Sequence, residues 1–250
     1  MKAMIFAAGL GTRLKPLTDS LPKALVSVGE KPLLQHIIEK LKQSGFDEII
    51  INIHHFGQQI IDFVEENNRF DIRIEFSDER EKLLDTGGGI KKASWFFDDN
   101  KPFLVHNVDI LSNVDLSNLY TFHLKTHSPA TLVCSSRETL RYLLFDSNQH
   151  LKGWINEKTG EVKSPLPDFD PSGYRKFAFS GIQIVEPSAF RYMENFPDKF
   201  SIIDFYLSIC SKEKLAAFIP RDLQLIDVGK LNSLEEAQNF PIPGRFHHYT

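Results

Sequence analysis

Apolar residues in the first half of the chain fall into two alternating kinds of run. Residues 3–8 (AMIFAA) are continuously apolar and are followed by glycine, the pattern of a strand buried on both faces. In KPLLQHIIEKLKQSG (31–45), Leu33, Leu34, Ile37, Ile38 and Leu41 share one helical face, and Gly45 suits a helix end. EIIINI (48–53) predicts a second buried strand, GQQIIDFVEEN (57–67) a helix and IRIEFS (72–77) an alternating strand. GIKKASWFF (89–97) predicts a short helix and PFLVHNVDI (102–110) a further strand. This rhythm implies an α/β fold, a mainly parallel sheet with helices on both faces. Ligands bind beyond the carboxyl ends of such strands, which singles out the loops 9–23, 54–57, 77–89 and 107–113.

From about residue 130 the pattern changes. TLVCSS, YLLFDS, KGWINE, FAFSGIQIV, LAAFIP and QLIDVG are short strand candidates, with helices only near 201–213 and 231–239. The stretch 160–175 is rich in proline, glycine and charge and reads as a loop or lid, and PIPGRFHHYT reads as an irregular tail. The expected organisation is one domain over 1–250, with halves 1–130 and 131–230 followed by a helix and tail over 231–250.

Composition narrows the classes of function. A chain of 250 residues can bury a sizeable core. Its net charge of -4 offers no broad cationic face for nucleic acid, so phosphate binding would rest on a few placed cations. Cys134 and Cys210 are far apart, form no disulfide framework and have no metal-ligand spacing; both suit buried sites in a reducing compartment. The N-terminal apolar run is too short for a signal peptide, and no stretch is apolar for long enough to span a membrane. A cytoplasmic protein with no membrane or nucleic-acid partner is expected. Nothing in the sequence specifies an oligomeric state.

Four segments carry candidate chemistry. In the first loop, Gly9 and Gly11 let the backbone approach an anion, Arg13 offers a planar fork for phosphate, and Lys23 a mobile point charge. Pro16 and Pro22 stiffen the excursion. A G-x-G alone is more often a turn with surface cations. In DTGGGI (85–90), three glycines ahead of a helix could let a base or ribose lie against the backbone, or could be a flexible turn. Asp109 ends a buried apolar strand, where a carboxylate is costly unless paired or holding a cation. Asp227 also follows an apolar strand, although a turn residue is the commoner explanation there.

The run from Gly9 to Leu25, G-x-G-T-R-L-x-P-L-T-x-x-x-P-K-x-L, followed by Lys31-Pro32, closely resembles the signature loop of sugar-1-phosphate nucleotidyltransferases. It lacks the third glycine of a dinucleotide fingerprint and the Gly-Lys-Ser/Thr of a Walker A loop. The resemblance implies a Rossmann-like fold with a smaller sugar-binding part, a nucleoside triphosphate, a sugar 1-phosphate and Mg²⁺. It implies nucleotide contacts from Ala8, Gly9, Leu10, Gly11, Thr12, Arg13, Lys23, Thr86, Gly87 and Gly88, with Arg13 and Lys23 catalytic. It implies sugar-phosphate contacts from Asn107, Glu157, Lys158 and Gly181, and metal ligation by Asp109 and Asp227. Val108 stands where the family usually has glycine. Glu157 and Lys158, in NEKTG, read equally well as an exposed turn. LDTGGGI is similar to the branch that includes N-acetylmuramate-1-phosphate uridylyltransferases.

A sugar 1-phosphate is already an anion and needs no general base, so catalysis would be positioning plus electrostatics. Within the family, guanylyl, thymidylyl and other uridylyl transfer remain open. So does a phosphocholine cytidylyltransferase, with Trp154 and Tyr174 in an aromatic cage, and so does a regulatory nucleotide-binding domain without catalysis. Too few residues follow Asp227 for the hexapeptide-repeat β-helix that many members carry, so no C-terminal β-helix is expected.

Overall fold

The computed structural model describes residues 1–241; the rest of the expected tail, from residue 242 on, lies outside the described residues. The N-terminal half runs β1 (Lys2–Phe6), the small hairpin β2 (Ser27–Val28) and β3 (Lys31–Pro32), α1 (Leu33–Gln43), β4 (Glu48–Ile53) and α2 (Gly57–Glu66). It continues through β5 (Arg73–Asp78), α3 (Asp85–Lys92), β6 (Phe103–Asn107), β7 (Ile110–Ser112) and α4 (Leu116–Thr126). The second half runs β8 (Ala130–Ser135), β9 (Arg141–Phe145), β10 (Leu151–Asn156), β11 (Glu161–Lys163) and β12 (Arg175–Val185). It ends with α5 (Phe190–Met193), α6 (Ile202–Ile209), β13 (Ala216–Phe218), β14 (Leu225–Asp227) and α7 (Leu231–Ala237).

The continuous apolar runs have a direct cause. Alternate residues of the central strands enter two different cores. Ala3 and Ile5 of β1, Ile49 and Ile51 of β4 and Leu104 of β6 face the core covered by α1, α2 and α4. Met4, Ile50, Phe103 and Val105 face the core formed with Ile90 of α3 and Phe205 and Tyr206 of α6. Burying each such side chain contributes about 1.5–3 kcal/mol, so a strand with no solvent face needs no polar alternation.

Strands β5, β4, β1 and β6 lie side by side and parallel, and the chain changes direction between β1 and β6. β12 lies antiparallel to β6 and carries β8 and β9 along its other contacts, with β10 and β11 continuing as hairpins and β13 beside β8. Together they form a mixed sheet of ten strands with helices on both faces, the Rossmann-like α/β arrangement expected. Among the described residues, no helix is long and apolar enough to cross a membrane. Cys134 and Cys210 are free and buried.

Three local expectations are corrected, and one further helix is found. The strand expected over 102–110 ends at Asn107 and resumes as β7, so Asp109 sits at a break. The helix expected from residue 89 begins at Asp85 and takes in all three glycines. Each interior glycine costs a helix about 1 kcal/mol relative to alanine. Contacts with residues 198–200 override that cost, because Gly87 and Gly88 both donate to the carbonyl of Phe200 (2.9 and 3.3 Å). Helix α4 was not expected, although its signal was present: Asp115 caps it, accepting from the Asn118 amide at 2.9 Å. Part of the 160–175 stretch is β11 rather than loop.

Candidate active site

A cavity of about 240 Å³ opens where the chain changes direction between β1 and β6. Ala7, Ala8 and Gly9 line it from the loop after β1, with Asn107, Val108 and Asp109 opposite and Lys23, Asn52, Glu79, Asp85 and Thr86 around it. Gly11 has a φ of +63°, and a Cβ there would lie 2.9 Å from the Thr18 Cγ2. Its carbonyl accepts from the Thr18 hydroxyl and the Leu14 amide, both at 2.8 Å, which folds the loop back on itself. A Cβ on Gly9, by contrast, would meet nothing within 4 Å. Leu10, Thr12 and Arg13 are exposed.

Two residues of this wall were not singled out from the sequence. Asn52 accepts from the amides of Ala7 (2.7 Å) and Ala8 (3.2 Å) and donates to Glu79 Oε1 (2.8 Å). Glu79 Oε2 accepts from the Leu84 amide at 3.0 Å, just before α3. This buried chain of hydrogen bonds ties the glycine loop to the start of α3. An asparagine within the otherwise apolar EIIINI was the available signal. His54 donates through Nδ1 to the Glu79 carbonyl (2.7 Å), a packing role near the cavity.

Lys23, only 8% exposed, is ion-paired with Asp109. β14 pairs antiparallel with β7, and the Val228 amide donates to the Asp109 carbonyl at 2.8 Å, which brings the two distant aspartates beside one another. Burial and then the Asp109 charge raise the pKa of Asp227, opposed by Lys23, Arg13 and Arg137. A Cβ on Gly229 would lie 2.7 Å from an Arg13 guanidinium nitrogen and 2.7 Å from Asp227 Oδ1, so the glycine leaves room for the arginine against the acid pair. Asp109 and Asp227 side by side offer hard oxygen donors of the kind that could hold a divalent cation such as Mg²⁺. No group of three or more His, Cys, Asp or Glu able to hold a metal occurs among the described residues. His106, fully buried next to Asn107, is held down to about 3 by burial and Lys40, so it stays neutral at physiological pH.

Other anticipated residues lie differently. Gly87 and Gly88 do not line the cavity. Cβ atoms there would approach within 2.3 Å of the Phe200 ring and 2.0 Å of the Asp198 carbonyl, so both glycines serve close packing. Gly181 (φ +70°) lies under Asn107, where a Cβ would be 2.7 Å from Nδ2; it seats the asparagine. Glu157 and Lys158 occupy the exposed turn between β10 and β11, and Glu157 pairs with Lys176 at 2.9 Å. Tyr174 stacks on Phe169 with ring centroids 4.6 Å apart.

A second cavity, of about 470 Å³, lies between β9, β10, β12 and the start of α6. Trp154, Leu143, Phe179 and Ile203 give it apolar walls; Arg137, Arg141 and Lys163 supply positive charge, and Glu161 and Asp204 negative. Arg137 donates to the Phe179 carbonyl at 3.2 Å, and its charge reaches Asp227. Arg137 was missed because the strand–helix rhythm fades at residue 130. Yet β8 runs in the same direction as β6, both being antiparallel to β12, so the loop after β8 opens at the same end of the sheet as Asp109.

The chain belongs to the nucleotidyl transferase family, whose family model matches residues 2–242. It is 44% identical over 117 residues to N-acetylmuramate alpha-1-phosphate uridylyltransferase of Neisseria meningitidis, covering 47% of this chain and 50% of that protein. It is 32% identical over 235 residues to a mannose-1-phosphate guanyltransferase of Aspergillus fumigatus, covering 92% of this chain and 61% of that protein. The chain thus spans between half and three fifths of these curated relatives. Its fold matches a UDP-glucose pyrophosphorylase solved with UDP-glucose, with a TM-score of 0.76, 18% identity and coverage of 95% of this chain and 97% of that one.

Proposed function

We propose that this chain transfers a nucleoside monophosphate from a nucleoside triphosphate to a sugar 1-phosphate and releases pyrophosphate. One observation carries the reading: Gly9, Lys23 and Asp109 line one crevice, and beside the Lys23–Asp109 pair Asp227 lies within the electrostatic reach of Lys23, Arg13 and Arg137. The nucleotide would occupy the smaller cavity, with its phosphates toward the open face of Gly9 and its base toward Asn52, Glu79 and Thr86. The sugar would occupy the larger cavity, against Trp154 and Phe179.

The sugar phosphate oxygen attacks the α-phosphorus in line; the bond to pyrophosphate breaks, and no side chain need take up a proton. Lys23 would hold the α-phosphate, Arg13 would balance the charge growing on the departing pyrophosphate, and Arg137 would hold the sugar phosphate. Arg137 takes the place expected for Lys158, which lies in an exposed turn. Asp109 and Asp227 would hold Mg²⁺, which when bound neutralises repulsion between the two substrates' phosphates.

UTP and N-acetylmuramate 1-phosphate are the favoured pair, supported by the identity to the Neisseria uridylyltransferase. GTP and mannose 1-phosphate are the second reading, supported by the alignment over 92% of this chain. Pyrophosphate release, measured with Mg²⁺ while crossing UTP, GTP, CTP and dTTP against a panel of sugar 1-phosphates, tests both. Release with UTP and N-acetylmuramate 1-phosphate is expected. Release only with GTP and mannose 1-phosphate would move the assignment to the second reading, and no release with any pair would overturn the activity.

A further inference from the structure

We propose that Glu79 is a positioning residue for the nucleotide: through Asn52 and the Leu84 amide it holds the two rims of the smaller cavity, and only a group that accepts hydrogen bonds at both ends can do so. The inference rests on the transferase reading above and adds a residue that acts on nucleotide binding through its neighbours.

Glu79 is 1% exposed, and both of its oxygens are occupied. Oε1 accepts from Asn52 Nδ2 at 2.8 Å and Oε2 from the Leu84 amide at 3.0 Å. Neither donor is charged, and the carboxylate has no cation partner among the described residues. Burying an acid on such terms is costly, so packing alone would favour a neutral residue of the same shape. The polarity of the hydrogen-bond chain accounts for the acid. Both ends of the chain are fixed donors, the amides of Ala7 and Ala8 on one side and that of Leu84 on the other. Asn52 must turn its oxygen toward Ala7 and Ala8 and its Nδ2 toward residue 79, which then faces a donor on each side. A carboxylate accepts from both. An amide accepts from one and sets N–H against N–H at the other.

The two ends of this chain are walls of the cavity. Ala7 and Ala8 lie just beyond β1 and lead into Gly9, while Leu84 leads into Asp85 and Thr86 at the start of α3. A Cβ on Gly89 would lie 3.0 Å from Glu79 Oε1 and 3.4 Å from Asn52 Nδ2, so the third glycine of α3 lets the helix settle onto the pair. One buried acid therefore sets the spacing between the glycine loop and the helix start. A spacing fixed in advance lowers the ordering cost of binding a nucleotide between them.

The test compares Glu79→Gln with the double variant Asn52→Asp/Glu79→Gln. In the double variant the carboxylate at position 52 accepts from Ala7, Ala8 and the new amide at position 79, whose oxygen accepts from Leu84. Every hydrogen bond returns, with the charge moved one place. Glu79→Gln is expected to raise the nucleotide KM by about tenfold, with kcat and the sugar-phosphate KM within about threefold of wild type, and the double variant to bring the nucleotide KM back to within about threefold. An unchanged nucleotide KM in Glu79→Gln overturns the proposal, as does an equal rise in both variants or an equal rise in both substrates' KM. Should Glu79→Gln fail to fold, the double variant is read alone: a nucleotide KM near wild type supports the proposal, and a raised one, or failure to fold with every bond satisfied, overturns it. Absence of pyrophosphate release by the wild type with every pair would overturn the transferase reading. Calorimetric titration of UTP and GTP into the three proteins then reads this inference separately: affinity weakened about tenfold in Glu79→Gln and recovered in the double variant supports it, and equal affinities, or no binding by the wild type, overturn it.

Discussion

Lys23 is ion-paired with Asp109, its side chain nearly buried where the first loop meets the end of β6. The lysine thus holds a positive charge on the carboxylate assigned here to Mg²⁺. Replacing that carboxylate by an amide of the same shape removes the strongest anionic oxygen donor while keeping a hydrogen-bond acceptor for Lys23. Asp109→Asn is expected to raise the Mg²⁺ concentration needed for half-maximal pyrophosphate release by about tenfold or more. An unchanged metal titration would remove Asp109 from that role.

Arg13 lies against Gly229 and near Asp227, exposed rather than packed into the core. Its loss should therefore affect turnover more than folding. Arg13→Ala is expected to lower kcat by about 100-fold or more with little change in melting temperature. Turnover within a few-fold of wild type would exclude the guanidinium from transition-state stabilisation.

The glycines separate into two kinds that one pair of substitutions can distinguish. A Cβ on Gly9 points into open space at the cavity, whereas a Cβ on Gly88 would lie 2.0 Å from the Asp198 carbonyl. Gly88→Ala should destabilise the fold by about 1–3 kcal/mol, because backbone must shift. Gly9→Ala should leave the melting temperature unchanged and raise KM for the nucleotide. Thermal denaturation beside nucleotide titration reads both, and a Gly9→Ala protein that melts early would show that the loop, not the ligand, needs this glycine.

Asp227 makes stability depend on pH in an unusual direction for a carboxylate. Partial burial, then Asp109, raise its pKa above the ordinary 3.8, an effect that solvent reaching the exposed side of the carboxylate weakens. The folded state therefore binds the proton more tightly than the unfolded chain does. The associated stability is complete below the unfolded value and is lost as pH rises through the folded one. Without metal, Asp227→Asn should raise the melting temperature at about pH 7 by ~1–2 °C and give no gain near pH ~3.5, although the same change should abolish metal-dependent turnover. Melting scans at the two pH values check this; a lower melting temperature at neutral pH would mean that the ionised carboxylate is stabilised in the fold.

The strands, most helices and the glycine–cation loop were legible because each is written in neighbouring residues. Period and apolar run length report how many faces of a segment are buried, and residues 9–25 carry their turn and charges within one excursion of the chain. Lys158 shows the limit. Its resemblance to a sugar-phosphate lysine was local, and the same residues also spell a turn, which is where the structure has it. The three glycines of α3 misled for a related reason. Their intrinsic cost to a helix is a local quantity, while the contact with Phe200 that offsets it comes from far along the chain.

The sequence by itself therefore determined the α/β class, the glycine–cation loop after the first strand and the identity of the charged groups. Only the tertiary structure decided which of those groups meet. Pairing of β14 with β7 sets Asp227 beside Asp109, the Phe179 carbonyl of β12 holds Arg137 at the wall of the larger cavity, and Asn52 and Glu79 join the first loop to α3. These are nonlocal hydrogen-bond registers. Period and composition within a segment say how it is buried, but they do not say which distant edge it pairs with.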